Sequence, residues 1–257
     1  MTKRLLPIAL ALAAGLSSQA FSQPAQPTIV LVHGAFADSS GWYGVIRDLE
    51  AAGYQAIAVP NQLRGVSNDA ASVAAVLRSI DGPVVLVGHS YGGNVISEAA
   101  VGQPNVAALV YVAAFTPDVG ENALDLSMKF PGSTLGEALI PVLLDDDGQD
   151  LFIQVDKFHQ QFAADVPAEQ AALMAATQRP VTLAALAEPV EGAAWKSVPS
   201  YFIYGSADLN IPAQLVAFFA DRANARQARA IEGASHAVMV SHPHEVAAMI
   251  VAAAEGR

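Results

Sequence analysis

The stretch Val84-Val85-Leu86-Val87-Gly88-His89-Ser90-Tyr91-Gly92-Gly93 joins an unbroken apolar run to a G-x-S-x-G motif. Such a run predicts a strand buried on both faces, as in a parallel sheet covered by helices. The motif predicts a sharp turn from strand into helix, which strains the serine backbone and lifts the hydroxyl clear of the sheet. An ordinary turn is the alternative, since glycine and serine are common residues. The position between a predicted strand and a predicted helix favours Ser90 as a nucleophile.

Strands and helices alternate on both sides of this motif. The predicted strands are 28–32, 55–59, 84–87, 106–112, 201–204 and 228–231, and the predicted helices between and after them are 41–52, 69–80, 94–101, 213–222 and 243–254. Strands that alternate with helices form right-handed crossovers, so we predict an α/β fold with a mostly parallel central sheet. The alternation breaks at about 116–198, where only 168–177 and 182–187 look helical. We predict that this region is a cap inserted into a single domain spanning 23–257.

Two polar loops after later strands offer partners for the serine. A serine hydroxyl needs a general base and a group that orients this base. His236 lies between the last strand and the last helix, and Asp208 follows the preceding strand, which gives the chain order Ser, Asp, His. Taken singly, His236 could be a surface histidine and Asp208 a helix cap. Because the carboxyl ends of parallel strands share one edge of a sheet, we expect Ser90, Asp208 and His236 to form a catalytic triad.

A second aspartate, Asp118, competes for the role of the acid, because it follows the strand at 106–112. It comes directly after Pro117 at the start of the cap, where a carboxylate that accepts free backbone N–H groups would explain it. Pro212 lies too far beyond Asp208 for Asp208 to be the N-cap of a helix with that proline in its first turn. We therefore predict Asp208 as the acid.

The loop His33-Gly34-Ala35-Phe36 follows the first strand at the same edge of the predicted sheet. In folds with this serine turn, one backbone N–H for the oxyanion comes from that loop and another from the residue after the serine. We predict Ala35 and Tyr91 as these donors, with Phe36 as the alternative to Ala35. His33 is expected to shape the loop through hydrogen bonds.

The first residues follow the pattern of a secretory signal peptide. Two basic residues at 3–4 precede an apolar run at 5–16, and small residues follow. A membrane anchor is the alternative, but the run is shorter than the ~20 residues that span a bilayer. We predict a signal peptide at 1–22, cleaved after Ala20 or Ser22, and a periplasmic or secreted protein with no stable membrane association afterwards.

Composition narrows the possible partners. The 257 residues carry a formal net charge of −11, and such an acidic surface repels nucleic acids and anionic lipids. The chain has no cysteine, which excludes disulfides and thiolate chemistry. Aspartates at 145–150 lack the spacing of a calcium-binding loop, and a hairpin turn at Asp147-Gly148 explains them better. We therefore predict no metal, no cofactor and no nucleic-acid partner, and nothing in the sequence predicts an oligomeric state.

The sequence resembles the α/β-hydrolase superfamily, in the branch of plant methyl esterases, hydroxynitrile lyases and small bacterial esterases. The segments that carry the resemblance are VLVHGA at 30–35, GHSYGG at 88–93, YVAAFTPD at 111–118, YGSAD at 204–208 and GASH at 233–236. The resemblance implies the α/β-hydrolase fold, an esterase-type triad of Ser90, Asp208 and His236, a cap over the pocket and no cofactor.

Two positions depart from the lyases of this branch. Those lyases carry a lysine just after the catalytic histidine and a threonine after the histidine of the first strand, where this chain has Ala237 and Gly34. We therefore predict hydrolysis of small or medium uncharged esters through an acyl-enzyme. The alternatives are lactonase, amidase or hydroxynitrile-lyase-like activity, or a ligand-binding module of the same fold with little turnover.

Overall fold

In the computed structural model of the chain, residues 26–145 and 148–257 are described. The predicted signal peptide and Asp147 lie outside these residues. The strands in the described residues are β1 Thr28–Val32, β2 Ala56–Val59, β3 Val84–His89, β4 Val106–Val112, β5 Leu139–Leu143, β6 Gln149–Ile153, β7 Val181–Thr182, β8 Ser200–Gly205 and β9 Gln227–Ile231. The α-helices are α1 Tyr43–Ala51, α2 Val66–Arg78, α3 Gly92–Ala99, α4 Ala123–Ser127, α5 Leu135–Ala138, α6 Val155–Phe162, α7 Ala168–Thr177, α8 Leu183–Ala187, α9 Ala213–Arg222, α10 Val238–Ser241 and α11 Pro243–Ala254.

Six strands form the central sheet in the order β2-β1-β3-β4-β8-β9, and every neighbouring pair is parallel. All residues of β3 are buried, as its continuous apolar sequence predicts. Because the strands run in parallel, their carboxyl ends meet at one edge of the sheet. The loops that carry Ser90, Asp208 and His236 follow β3, β8 and β9 at this edge.

Helices flank this sheet and cover its apolar strands. Helix α3 packs on β1, β3 and β4 and against α2, whereas α11 packs on β3, β4 and β8 and against α1. Proline at the first helical position starts α11, where its missing N–H costs nothing. No helix within 26–145 or 148–257 is long and apolar enough to cross a membrane. The predicted α/β-hydrolase fold with its parallel sheet is confirmed.

The region at about 116–198 contains a second sheet, which the sequence patterns did not reveal. Strands β5, β6 and β7 pair antiparallel in that order, together with helices α4 to α8. The two ends of the region meet, because Gly120 donates to the Val190 carbonyl and Val190 donates to the Glu121 carbonyl. Such adjacent ends are what an insertion between two core strands requires.

Helix α2 starts three residues before the predicted start at Asp69. Gly65 precedes the helix and offers no side-chain cap. Instead, the Glu188 carboxylate accepts the backbone N–H groups of Val66 (2.6 Å) and Ser67 (3.2 Å). A carboxylate satisfies free N–H groups at a helix start and opposes the positive end of the helix dipole. A residue distant in the sequence therefore sets this boundary.

Candidate active site

Ser90 lies in a tight turn between β3 and α3. Its backbone has φ +55°, in the left-handed region that non-glycine residues rarely occupy. A Cβ on Gly88 would lie 2.6 Å from the carbonyl oxygen of Gly92, so the turn closes only because a glycine stands there. The Ser90 side chain reaches the wall of a cavity, and 7% of the residue is exposed. The structure thus has the strained serine turn that the motif predicts.

His236 and Asp208 are joined by a short hydrogen bond. His236 Nδ1 lies 2.7 Å from Asp208 Oδ2, and both side chains are buried. The other carboxylate oxygen of Asp208 accepts the backbone N–H groups of Asn210 (2.7 Å) and Ile211 (3.0 Å). Asp208 therefore organises its own loop and also holds the imidazole. With Nδ1–H directed at the carboxylate, His236 Nε2 is left as a proton acceptor.

The ring of His236 is held on two sides by other rings. His89 lies 4.7 Å away between ring centroids, and Phe162 of α6 lies 5.0 Å away in an edge-to-face arrangement. His236 Nε2 is buried without a hydrogen-bond partner among the described residues, and Ser90 Oγ donates no hydrogen bond to it. Catalytic hydrogen bonds are often open in ligand-free enzymes and close when substrate binds.

His89 binds the backbone of the loop that carries His236. Its Nε2 lies 3.1 Å from the His236 carbonyl oxygen, which accepts only, so Nε2 carries a proton. Burial, and then the nearby His236, lowers the pKa of His89 well below the ordinary range. A neutral His89 therefore holds the backbone of His236 without adding a positive charge beside its imidazole.

Asp118 makes no hydrogen bond or ion pair with His236. Its carboxylate is bridged to Lys196 at 2.5 Å and accepts the backbone N–H of Val119 at 2.7 Å. The hydrogen bond from Lys196 lowers the pKa of the Asp118 carboxyl. Of the two candidate acids, the structure brings Asp208 to His236, and Asp118 holds the start of the region at 116–198.

The backbone N–H groups of Ala35 and Tyr91 donate to no other group in the described residues. Phe36, the alternative to Ala35, has its N–H bonded to the Arg179 carbonyl oxygen at 3.0 Å. The Tyr91 hydroxyl donates to buried Asp69 at 3.1 Å, which anchors the residue after the serine. Burial raises the pKa of that carboxyl. Ala35 and Tyr91, whose N–H groups are free, line the same cavity as Ser90, which is consistent with the predicted oxyanion donors.

His33 shapes the loop of Ala35, as the sequence predicts. The Asn61 backbone N–H donates to His33 Nε2 at 3.0 Å, so the ring proton is on Nδ1, which lies 3.0 Å from the Gly34 carbonyl oxygen. Burial lowers the pKa of His33 and favours the neutral ring that this pattern needs.

The sequence profile of the alpha/beta hydrolase family matches residues 29–249, which is most of the chain. The chain belongs to this family. A curated relative, esterase PIR7B of Oryza sativa subsp. japonica, is 26% identical over 263 residues, covering 90% of this chain and 96% of the relative. Alpha-hydroxynitrile lyase of Arabidopsis thaliana is 27% identical, covering 84% and 93% respectively.

The fold also has counterparts among solved structures. The crystal structure of polyneuridine aldehyde esterase matches with a TM-score of 0.77 and 23% identity, covering 88% of this chain and 98% of the other. The resemblance to the branch of methyl esterases and hydroxynitrile lyases is therefore confirmed. The chain is an α/β hydrolase with esterase homologues, which supports the prediction of an esterase-type enzyme.

The cavity of this α/β hydrolase has a volume of about 300 Å³ and opens beside Ser90. Its wall is mostly aliphatic, and none of the residues that line it carries a charge. The aliphatic members from the region at 116–198 are Leu124, Leu135, Leu139, Leu151, Leu183 and Leu186. A wall of this kind binds uncharged groups, because a charged group would lose its hydration without gaining a partner.

The cavity wall of the hydrolase contains two amide residues, Asn210 and Gln149, that the sequence patterns did not predict as site residues. Asn210 lies in the loop of Asp208, and its position two residues after a candidate acid was a signal that could have found it. Gln149 lies on β6, a strand that the sequence patterns did not predict. Within the described residues, no group of three or more His, Asp or Glu side chains is arranged to hold a metal ion.

Proposed function

We propose that this α/β hydrolase cleaves small or medium uncharged carboxylic esters through an acyl-enzyme. Ser90 is the nucleophile, His236 the general base and acid, and Asp208 the residue that orients His236 and stabilises its protonated form. The N–H groups of Ala35 and Tyr91 bind the oxyanion.

The reaction has two steps, acylation of Ser90 and hydrolysis of the acyl-enzyme. Ser90 Oγ attacks the ester carbonyl while His236 Nε2 takes the serine proton, and the tetrahedral intermediate collapses as Nε2 returns that proton to the departing alcohol. Water then attacks the acyl-enzyme, giving a proton to His236, which passes it to Ser90 Oγ as the acid leaves. No electrons are exchanged, so the residues need no redox partner.

One observation carries the proposal. His236 Nδ1 is bound to Asp208 at 2.7 Å and Nε2 is left without a partner, while Ser90, held at φ +55°, lines an uncharged cavity. A histidine that activates a serine needs this arrangement, because the acid orients Nδ1 while Nε2 stays free to accept the serine proton. The free Nε2 and the free N–H groups of Ala35 and Tyr91 are the groups that ester hydrolysis at Ser90 requires.

A test with a fluorophosphonate and a set of p-nitrophenyl esters addresses the proposal directly. We expect rapid labelling of Ser90 and hydrolysis of the neutral acetate and butyrate, both abolished in Ser90→Ala. Ser127→Ala is the matched control, because Ser127 also lines the cavity but donates its hydroxyl to the Leu124 carbonyl at 2.7 Å. A wild-type protein that neither labels nor turns over any ester would support a ligand-binding module instead.

Cyanohydrin cleavage is the rival with a named relative, since alpha-hydroxynitrile lyase of Arabidopsis thaliana matches most of the chain. In this chain the residue after His236 is Ala237, which is fully buried, and the cavity wall carries no cation for a departing cyanide. We therefore expect mandelonitrile cleavage to stay far below ester hydrolysis. Comparable rates on both would favour the lyase. Parallel assays on a lactone and an amide distinguish the two other hydrolytic alternatives.

A further inference from the structure

The loop of Asp208 also places Asn210 in the cavity wall. Asn210 lines the cavity, and 3% of the residue is exposed. Its backbone N–H donates to Asp208 Oδ1 at 2.7 Å, so the position of Asn210 is tied to that of the proposed acid. The backbone of Asn210 thus has a fixed place relative to the proposed acid.

Hydrogen bonds determine which end of this carboxamide is free. Gln161 of α6 donates Nε2 to the Leu209 carbonyl oxygen (2.9 Å), which accepts only, so this atom of Gln161 is the NH₂ group. The same Nε2 lies 2.8 Å from Asn210, so the Asn210 atom that faces it is the acceptor Oδ1. The Thr134 hydroxyl donates to Gln161 Oε1 at 2.9 Å and completes the chain of contacts.

Asn210 Nδ2 is therefore the end without a partner. It is buried and donates no hydrogen bond to any other described residue. A buried donor screened from water and left unpaired is unfavourable, and most such groups in folded proteins find an acceptor. The apolar residues that share the cavity wall offer none.

We propose that Asn210 Nδ2 donates a hydrogen bond to a second acceptor oxygen of the substrate, a ketone or ether oxygen away from the scissile carbonyl. The hydrolase then prefers esters that carry such an oxygen over hydrocarbon esters of equal length, because an ester without it leaves the buried donor unpaired. This inference rests on the proposed ester hydrolysis and names the class of ester.

The test uses two substrate arms, because the oxygen can belong to the acyl or to the alcohol part. The acyl arm compares ethyl 3-oxo-, 4-oxo- and 5-oxohexanoate with ethyl hexanoate, and the alcohol arm compares 2-methoxyethyl with butyl hexanoate. Each rate is divided by that of alkaline hydrolysis, which removes intrinsic reactivity. We expect about a ten-fold higher kcat/KM for at least one oxygenated ester, mainly through KM, since the contact is remote from the reacting carbon.

In Asn210→Leu this preference should fall to within about two-fold of unity. The substitution keeps the number and branching of the side-chain heavy atoms and the backbone N–H that binds Asp208. Gln149→Leu removes the other amide of the wall and is the matched control, which should keep the preference. Circular dichroism checks that both variants fold.

Binding to Ser90→Ala gives a readout that does not need turnover. Its Kd for the preferred oxygenated ester should be about ten-fold lower than for the hydrocarbon ester, and Asn210→Leu in the same background should remove the difference. Equal Kd values for both esters, or an equal loss in the Asn210 and Gln149 variants, would overturn the inference. Absence of ester turnover and of serine labelling in the wild type would instead contradict the proposed function.

Discussion

Gly34 lies so close to Ser90 that an added Cβ would stand 2.6 Å from Ser90 Cβ and 3.2 Å from Ser90 Oγ. The same Cβ would stand 2.7 Å from the His89 carbonyl oxygen, so backbone and side chain both block it. The loop of Ala35 therefore reaches the nucleophile because residue 34 has no side chain. We expect this close approach to hold the Ala35 N–H in place for the proposed oxyanion contact.

We predict that Gly34→Ala lowers kcat/KM for neutral esters by about 100-fold, because the loop must withdraw and carry the Ala35 N–H with it. Steady-state kinetics measures the change. Gly136→Ala is the control, because Gly136 also lines the cavity but an added Cβ there would meet nothing within 4 Å. Equal activity of the two variants would mean that the close approach of Gly34 has no catalytic consequence.

Asp208→Asn should lower kcat by about 10⁴, because an amide cannot stabilise the imidazolium and favours the wrong tautomer of His236. Asp118→Asn should keep kcat near that of the wild type, since its carboxylate is bound to Lys196 instead. Both variants are compared for ester turnover after circular dichroism. If Asp118→Asn loses activity and Asp208→Asn keeps it, the proposed acid is the wrong one.

Much of this arrangement could be predicted from local patterns. Strand β4 and helices α7, α9 and α11 have the predicted bounds, because a continuous apolar run or a helical period defines each of them. The serine turn and the chain order of Ser90, Asp208 and His236 are likewise visible in the sequence without knowledge of tertiary contacts. Strand ends of a parallel sheet share one edge, which made the meeting of His236 and Asp208 predictable.

The sheet of β5, β6 and β7 and the cavity wall could not be predicted in this way. Strand β7 is only two residues long, and the exposed apolar residues of β5 show no alternation with polar ones. The leucines of the wall come from five helices and strands, so no single sequence window reveals them. Asn210 likewise depends on Gln161, which is distant in sequence.

Glu188→Ala should lower the free energy of unfolding by about 1 kcal/mol, because α2 loses the carboxylate that caps its first N–H groups. Chemical denaturation followed by circular dichroism measures the effect. Glu191→Ala is the control, since the contact that Glu191 makes with Glu98 comes from its backbone N–H. An equal loss in both variants would show that removal of a negative charge, and not loss of the cap, lowers the free energy of unfolding.

The N-terminal signal peptide stays a prediction, because residues 1–22 lie outside the described part of the chain. We expect the mature protein to begin between Ala20 and Gln23 and to be found in the periplasm or medium. N-terminal sequencing of fractionated cells measures both. An intact Met1 in a soluble cytoplasmic pool would contradict export.

His89 should make the fold sensitive to acid. Its pKa is lowered in the folded state, by burial first and by His236 second, whereas in the unfolded chain it returns to the ordinary 6.5. Below pH 6.5 the unfolded chain therefore binds a proton that the folded protein does not, and the free energy of unfolding falls as the pH drops. His89→Gln keeps a donor for the His236 carbonyl but has no charge to gain, so its free energy of unfolding should fall less between pH 7.5 and 5.

Part of the pH dependence of the free energy of unfolding should remain in His89→Gln, because the pKa of buried His33 is also lowered. Urea unfolding at several pH values measures both proteins, and parallel curves would mean that His89 takes up its proton equally well when folded.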